Sequence, residues 1–331
     1  MTSPRSPWRR QLLLAACAGL AAPAASFAQL RGKPAIRILL GLPPGGGTDA
    51  IARFFADSLP ALLGQPVIIE NRVGAGGRLA ADTLKTAQPD GLTYMIAPNA
   101  TPTFQTLIFG KQLKWDLWKD FEPVAGLVSF PCGMAAGART QARNAAGFVR
   151  WVRANPDKAN FGVPGLGGQN HFLGIQFARS AGIDLPVAPY KGTPPMITDL
   201  LGDHIASAVT LLEDLRKYHQ TERIRLLGIF SDKRSVLAPD IPTMAEQGFD
   251  VTQGDGWTAM WAPARTPARE IARMQMALRT ILSSPQSRDF LMKQLAVVPD
   301  YLDDQQMARR QRAELETWAP VIKASGFRAE L

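Results

Sequence analysis

The chain has 331 residues, enough for two domains of ordinary size. With 46% hydrophobic and 20% charged residues it has a globular composition, which excludes a disordered or fibrous chain. The formal charge of +9 raises nucleic-acid binding, but the basic residues are scattered, with no zinc-finger spacing and no basic run interleaved with aromatics, so no nucleic-acid partner is expected.

Residues 1–28 read as an export signal. Arg5, Arg9 and Arg10 form a positive n-region, Leu12 to Ala25 an apolar stretch, and Ser26-Phe27-Ala28 a small-x-small cleavage site before Gln29. The stretch is too short and Ala-rich for a membrane span, and no other segment approaches 18 uncharged apolar residues. The expected product is a soluble periplasmic protein. The Arg9-Arg10 pair leaves the twin-arginine route open beside the general one, and Leu14-Ala15-Ala16-Cys17 leaves open a lipoprotein cleavage. Removal of 1–28 leaves 34 basic against 28 acidic residues, a cationic balance suited to an acidic small ligand or partner surface. It also leaves Cys132 alone, without an internal disulfide partner and expected to be a buried small apolar residue.

Strands and helices then alternate. Ile36–Leu40 is a β-branched run that enters Pro43-Pro44-Gly45-Gly46-Gly47. Thr48 stands where a helix N-cap belongs, with Asp49 in the first turn. Ile51, Phe54, Phe55, Leu59, Leu62 and Leu63 form a helical stripe that Gly64 ends. Val67–Glu70 is the next strand, Gly74–Gly77 a second glycine loop, Arg78–Thr86 a helix and Thr93–Ala97 a strand, the pattern of a parallel sheet covered by helices. The grammar restarts with a helix at 148–154 and a strand at 160–163. A third loop, Pro164-Gly165-Leu166-Gly167-Gly168, leads into a helix over 170–181. Strands at 186–190, 206–212 and 223–230 and a helix at 194–201 follow; the portion from Pro267 to Gly326 reads as mostly helical.

A glycine loop between strand and helix puts a ligand at the C-terminal edge of the sheet, where free helix amides and the helix dipole favour an anion. One such loop in each half would make a two-sided clamp. Gly45, Gly46, Gly47 and Thr48 are the candidates in the first half, and Gly167 and Gly168 in the second, with Asn170 and His171 at the following helix start. Lys191 ends a strand beside Tyr190 and Gly192, where it could balance a ligand carboxylate with the Tyr ring as a wall; a surface Lys on a turn is the alternative. Trp257 and Trp261 read as core or hinge packing. No H-E-x-x-H, Cys/His metal spacing, nucleophile elbow or Walker motif is present, and in the Gly74-Ala75-Gly76 start of a dinucleotide fingerprint the third Gly is misplaced. No catalytic residue, metal or cofactor is therefore expected.

Together with their order, these motifs resemble the tripartite tricarboxylate transporter receptors, or Bug proteins. The resemblance spans the chain after the signal: Pro44 to Asp49 with Ile51-Ala52-Arg53, Leu63 to Val67, Glu70-Asn71-Arg72, Gly74 to Gly77, Pro89 to Thr93, Asp120 to Val124, Pro189 to Gly192, Thr198 to Gly202, Pro239 to Thr243 with Glu246 and Gly248, and Ala262-Pro263 with Thr266-Pro267. It implies an α/β fold of two Rossmann-like lobes joined by crossovers, a type II periplasmic binding protein. The first lobe would comprise 29–128 and about 240–331, the second about 129–239. It further implies a monomer that closes on a small carboxylate and serves membrane transporter subunits or a sensor protein. Mapped by resemblance, the ligand would be held by Gly45, Gly46, Gly47 and Thr48 on one side and by Gly167, Gly168 and Gln169 on the other, with Asn99 and Thr101 after the strand at 93–97. The chain departs from the family at Gly47, where the family often has Pro, at Gly168, where it often has Ser or Thr, and at Glu213-Asp214, where it places an Asp near a strand end. An α/β enzyme acting on a carboxylate and a scaffold with a degenerate cleft are the competing readings.

Overall fold

The structure is a computed structural model that describes residues 33–251 and 254–328; the signal at 1–28 and Cys17 lie outside the described residues. Two sheets carry the chain. The first begins with β1 (Ile36–Leu40), α1 (Gly47–Leu63), β2 (Val67–Asn71), α2 (Arg78–Thr86) and β3 (Thr93–Pro98), continues through the short α3 (Gln105–Phe109) and β4 (Phe121–Phe130), and is completed by β10 (Gly256–Pro263), α8 (Ala268–Ser283), α9 (Pro285–Gln294) and β11 (Val298–Leu302). Its strand order is β11-β4-β10-β3-β1-β2. The second holds β5 (Cys132–Gly137), α4 (Ala145–Ala154), β6 (Phe161–Val163), α5 (Gln169–Ala181), β7 (Val187–Pro189), α6 (Thr193–Leu201), β8 (Ser207–Leu211), α7 (Leu212–Gln220) and β9 (Ile224–Ile229), in the order β7-β6-β8-β5-β9. The last helix, α10 (Asp304–Ser325), is closed at its start by a capping box of Asp303 and Gln306.

The α/β fold of two lobes is present, but neither sheet is wholly parallel. β1 pairs in parallel with β2 and β3, and β6 with β7 and β8, as the alternation of strand and helix requires. β10 runs antiparallel to both β3 and β4, and β5 antiparallel to both β8 and β9. The chain changes sheets between β4 and β5 through Pro131 alone, and returns between β9 and β10 through residues 230–255; the strand entered after each passage, β5 or β10, runs against the parallel strands of its sheet. β10 is buried along its whole length: Trp257 and Trp261 pack on one face of the sheet, Met260 and Ala262 on the other. Such a strand carries no alternation to betray it. The mostly helical reading of the C-terminal portion also missed β11, which Pro299 and an irregular register disguise.

The boundary expected near 240 lies in a stretch that packs on the second sheet. Thr243 bridges Ile229, and Ile241 and Met244 are buried with second-lobe residues. α10 joins both cores: Met307 packs with Trp257 and Trp261, while Trp318 and Ile322 pack with Phe172 and Phe177 of α5. Cys132 is free and buried at the start of β5, and burial pushes its thiol well above the ordinary range.

One contact limits where the first glycine loop can sit. Beyond β1 the chain passes so close to the 74–77 loop that a Cβ on Gly41 would lie 2.4 Å from the Gly77 Cα, a backbone atom that cannot swing away. Gly41→Ala is expected to destabilise the fold by about 1–3 kcal/mol in urea unfolding. Gly165→Ala, whose Cβ meets nothing within 4 Å, is expected to leave stability within about 0.5 kcal/mol.

Candidate functional site

The two glycine loops have the same local geometry. Gly45 has φ +83° and Gly167 φ +75°, left-handed conformations that a Cβ would strain. Gly46 (φ −84°, ψ 169°) and Gly168 (φ −85°, ψ 169°) then cap α1 and α5. Thr48 is therefore not the cap but a first-turn residue, because the cap needs extended backbone and no side chain supplies the capping bond. In both loops the first amide turns inward to a side chain four residues on. The Gly45 N–H donates to Asp49 Oδ2 at 2.9 Å, and the Gly167 N–H donates to His171 Nδ1 at 3.3 Å. The first-turn amides, at Gly47 and Thr48 and at Gln169 and Asn170, are the ones a helix leaves unbonded.

Each inward anchor is held against titration. Asp49 is buried, and the Arg53 guanidinium, donating from Nε at 2.7 Å and Nη2 at 3.1 Å, holds its carboxyl below the usual range. That pairing cancels the charge that would repel an anion at the helix start. His171 is buried between Phe172 and Phe327, and burial lowers its pKa, so its ring stays neutral and its Nδ1 lone pair faces the Gly167 amide.

Four strand ends frame the space between the lobes. β1 lies parallel beside β3, so both end at one edge of the first sheet, and β6 lies parallel beside β8, so both end at one edge of the second. Gly47 and Thr48, after β1, line a cavity of about 120 Å³ with Leu211, the last residue of β8, and Glu213 just beyond it. Asn99, after β3, donates from Nδ2 to Gln169 Oε1, after β6, at 3.0 Å. Glu213 sits on α7 rather than at a strand end, and Asp214 beside it is drawn back to the Thr210 hydroxyl.

The remaining sequence candidates are placed as follows. Asn99 and Gln169 are both buried and joined to each other. Thr101 is buried, donates to the Gly76 carbonyl at 3.4 Å and packs on Gly77, so its hydroxyl serves the 74–77 loop. Lys191 is exposed on the turn after β7 and does not line the 120 Å³ cavity. Tyr190 does not wall the cavity: its ring packs beside Gly162 and its hydroxyl donates to Asp199 at 2.6 Å. Asn170 Oδ1 is buried without a hydrogen-bond partner among the described residues.

Glu314 of α10 has no distinguishing mark in the sequence. Its Oε1 accepts from Asn99 Nδ2 at 2.7 Å and from Trp257 Nε1 at 3.3 Å, which ties the C-terminal helix into the contact between lobes. Its Oε2 is buried without a hydrogen-bond partner among the described residues, and burial raises its pKa to about 7, against the lowering effects of Asn99, Arg310 and Trp257. Beside it a hollow of about 500 Å³ is lined by Asp232, Asp255, Trp257, Arg310 and Trp318. This hollow is larger than the one at Gly47, yet among the described residues its carboxylates outnumber the one cation, Arg310, which is already paired with Asp300 at 2.6 Å. An anion is disfavoured there.

Because Glu314 binds a proton more tightly in the fold than in the unfolded chain, its contribution is favourable below about pH 4.5 and is lost as pH rises towards 7. Glu314→Gln keeps the Asn99 and Trp257 acceptor and removes the charge. The wild type is expected to lose stability between pH 5 and 8 relative to this variant, by about 2 kcal/mol, in paired thermal unfolding curves. Parallel curves would contradict the assignment.

Comparison with known proteins agrees with this architecture. The profile of the tripartite tricarboxylate transporter family receptor matches residues 51–327. The UPF0065 protein in the gbd 5′ region of Cupriavidus necator is 32% identical over 313 residues, 94% of each chain. A protein of R. palustris solved with adipate has a TM-score of 0.78 at 26% identity, over 88% of this chain and 97% of its own. The periplasmic binding protein BugD has a TM-score of 0.75 at 26% identity, over 90% of this chain and all of its own. The chain thus belongs to the tripartite tricarboxylate transporter receptor family, the Bug proteins.

Proposed function

We propose that this protein is a periplasmic receptor that captures a small carboxylate between its lobes and presents it to the membrane subunits of a tripartite tricarboxylate-type transporter. The observation that carries the reading is the matched pair of glycine loops, with φ +83° and +75° at the first glycine and one extended capping glycine each. A helix start with unbonded amides favours a carboxylate through hydrogen bonds and the helix dipole together. Two such starts, one on each side of the cleft, favour the closed form by holding the ligand from both lobes at once.

Binding without catalysis is supported by what the titratable groups do. Asp49 and His171, the ionisable side chains closest in sequence to the two helix starts, both turn back to their own loop amides, so neither is free to take a proton from a ligand. The adipate in the R. palustris neighbour supports a carboxylate as the ligand class, and the export signal at 1–28 supports the periplasm.

Thermal unfolding of the chain from Gln29 against a panel of small carboxylates tests this. A ligand at 100 times its Kd is expected to add about 2.7 kcal/mol to stability. Gly46→Val is expected to fold, since φ −84° suits any residue, and to lose at least tenfold in affinity because its side chain stands before the helix amides. Recovery of the acid unchanged in mass accords with a receptor; its conversion would establish an enzyme instead.

A further inference from the structure

The cavity beside the first glycine loop narrows the ligand class; this step rests on the receptor reading above. Gly47 and Thr48 form one wall of its 120 Å³. The other walls are Ile51, Phe130, Pro131, Leu211, Leu295 and Val297, all apolar, with Glu213 the one ionisable side chain among the lining residues. The walls come from both lobes and from the Pro131 passage between them, so the space belongs to the cleft rather than to either lobe's core.

The charges around this cavity are one-sided. The start of α1 offers positive potential at one end. Among the described residues no cation lines the space to receive a second carboxylate. Lys191 is exposed on the turn after β7, and Arg53 is committed to Asp49. Arg216 meets Glu213 through one contact at 3.1 Å, also donates to the Leu237 carbonyl, and does not line the cavity; unlike the two-contact pairing of buried Asp49, this pair is part-exposed and weak, so Glu213 keeps its repulsion for an anion. A dianion seated on Gly47 and Thr48 would therefore bring its far carboxylate against hydrocarbon and Glu213, losing hydration without gaining a partner.

We propose that the ligand is a monocarboxylate with a compact apolar body. Its carboxylate, shared between the two helix starts, accepts from the first-turn amides of Gly47 and Thr48 on the first-lobe side, its body fills the hollow between Ile51, Phe130 and Leu211, and Glu213 rejects a second carboxylate. An apolar cavity of about 150 Å³ holds one benzene ring, so this one takes a body of roughly four to six carbons.

Calorimetric titration at pH 7.5 with 3-methylbutanoate and benzoate against succinate and adipate, on the wild type and on Glu213→Gln, tests the assignment. The wild type is expected to bind at least one of the two monocarboxylates tenfold or more tighter than either dicarboxylate. Glu213→Gln is expected to raise dicarboxylate affinity at least fivefold while leaving that monocarboxylate within twofold. Tighter binding of succinate or adipate by the wild type would overturn the monocarboxylate assignment and leave the receptor reading intact. An unchanged preference in Glu213→Gln would overturn the role given to Glu213. Binding of none of the four acids would overturn the receptor reading, and this inference with it.

Discussion

The site depends on one constraint: the first amides of a helix have no partner within it. In most helices a Ser, Thr, Asp or Asn side chain covers them. Here both candidate helices start from glycine, and neither has a side-chain cap. The side chains that might have covered the amides, Asp49 and His171, reach back to the preceding glycine instead. That inward bond pins each loop without using the amides that follow. The left-handed glycine is what turns the chain tightly enough for the bond to form. Asp49 can hold this place beside an anion because Arg53 neutralises it; His171 can do so because it is neutral already.

Around these loops the fold supplies two lobes and the means to couple them. Pro131 alone joins β4 to β5, while the return passage packs on the second sheet before re-entering the first as β10. α10 contributes Met307 to one core and Trp318 and Ile322 to the other. Glu314 lies between those anchors and bonds to Asn99, which in turn reaches Gln169 at the start of α5. The C-terminal helix, a strand end of the first lobe and a helix start of the second thus share one buried polar network. Networks of this kind are sensitive to the loss of any member, because a buried polar group left alone keeps its desolvation cost.

Much of this was legible in the sequence wherever local chemistry decides the outcome. The helix at Arg78–Thr86 and the stop at Gly64 follow from periodicity and a C-terminal glycine, and both are present as read. The strands that the sequence reading missed, β4, β5, β10 and β11, are buried on both faces or broken by Pro and Gly, so no alternation marks them. The capping role given to Thr48 failed because Gly46, without a side chain to advertise itself, took the extended position. The repeated spacing of Gly45 to Asp49 and Gly167 to His171 was present as a signal but is recognisable only once the hydrogen bonds are seen. Glu314 could not have been singled out: on an amphipathic helix rich in Arg and Glu, only tertiary packing distinguishes the one carboxyl that is buried.

The central claim is that two matched helix starts hold one anion together. Amide chemical shifts in the ¹⁵N-labelled protein, followed through titration with a bound monocarboxylate, test it most directly. The account predicts that the Gly47, Thr48, Gln169 and Asn170 amides move downfield together along one binding curve, while the Gly45 and Gly167 amides, already bonded inward, move little. Shifts confined to a single loop, or centred on the hollow beside Trp257 and Arg310, would contradict it.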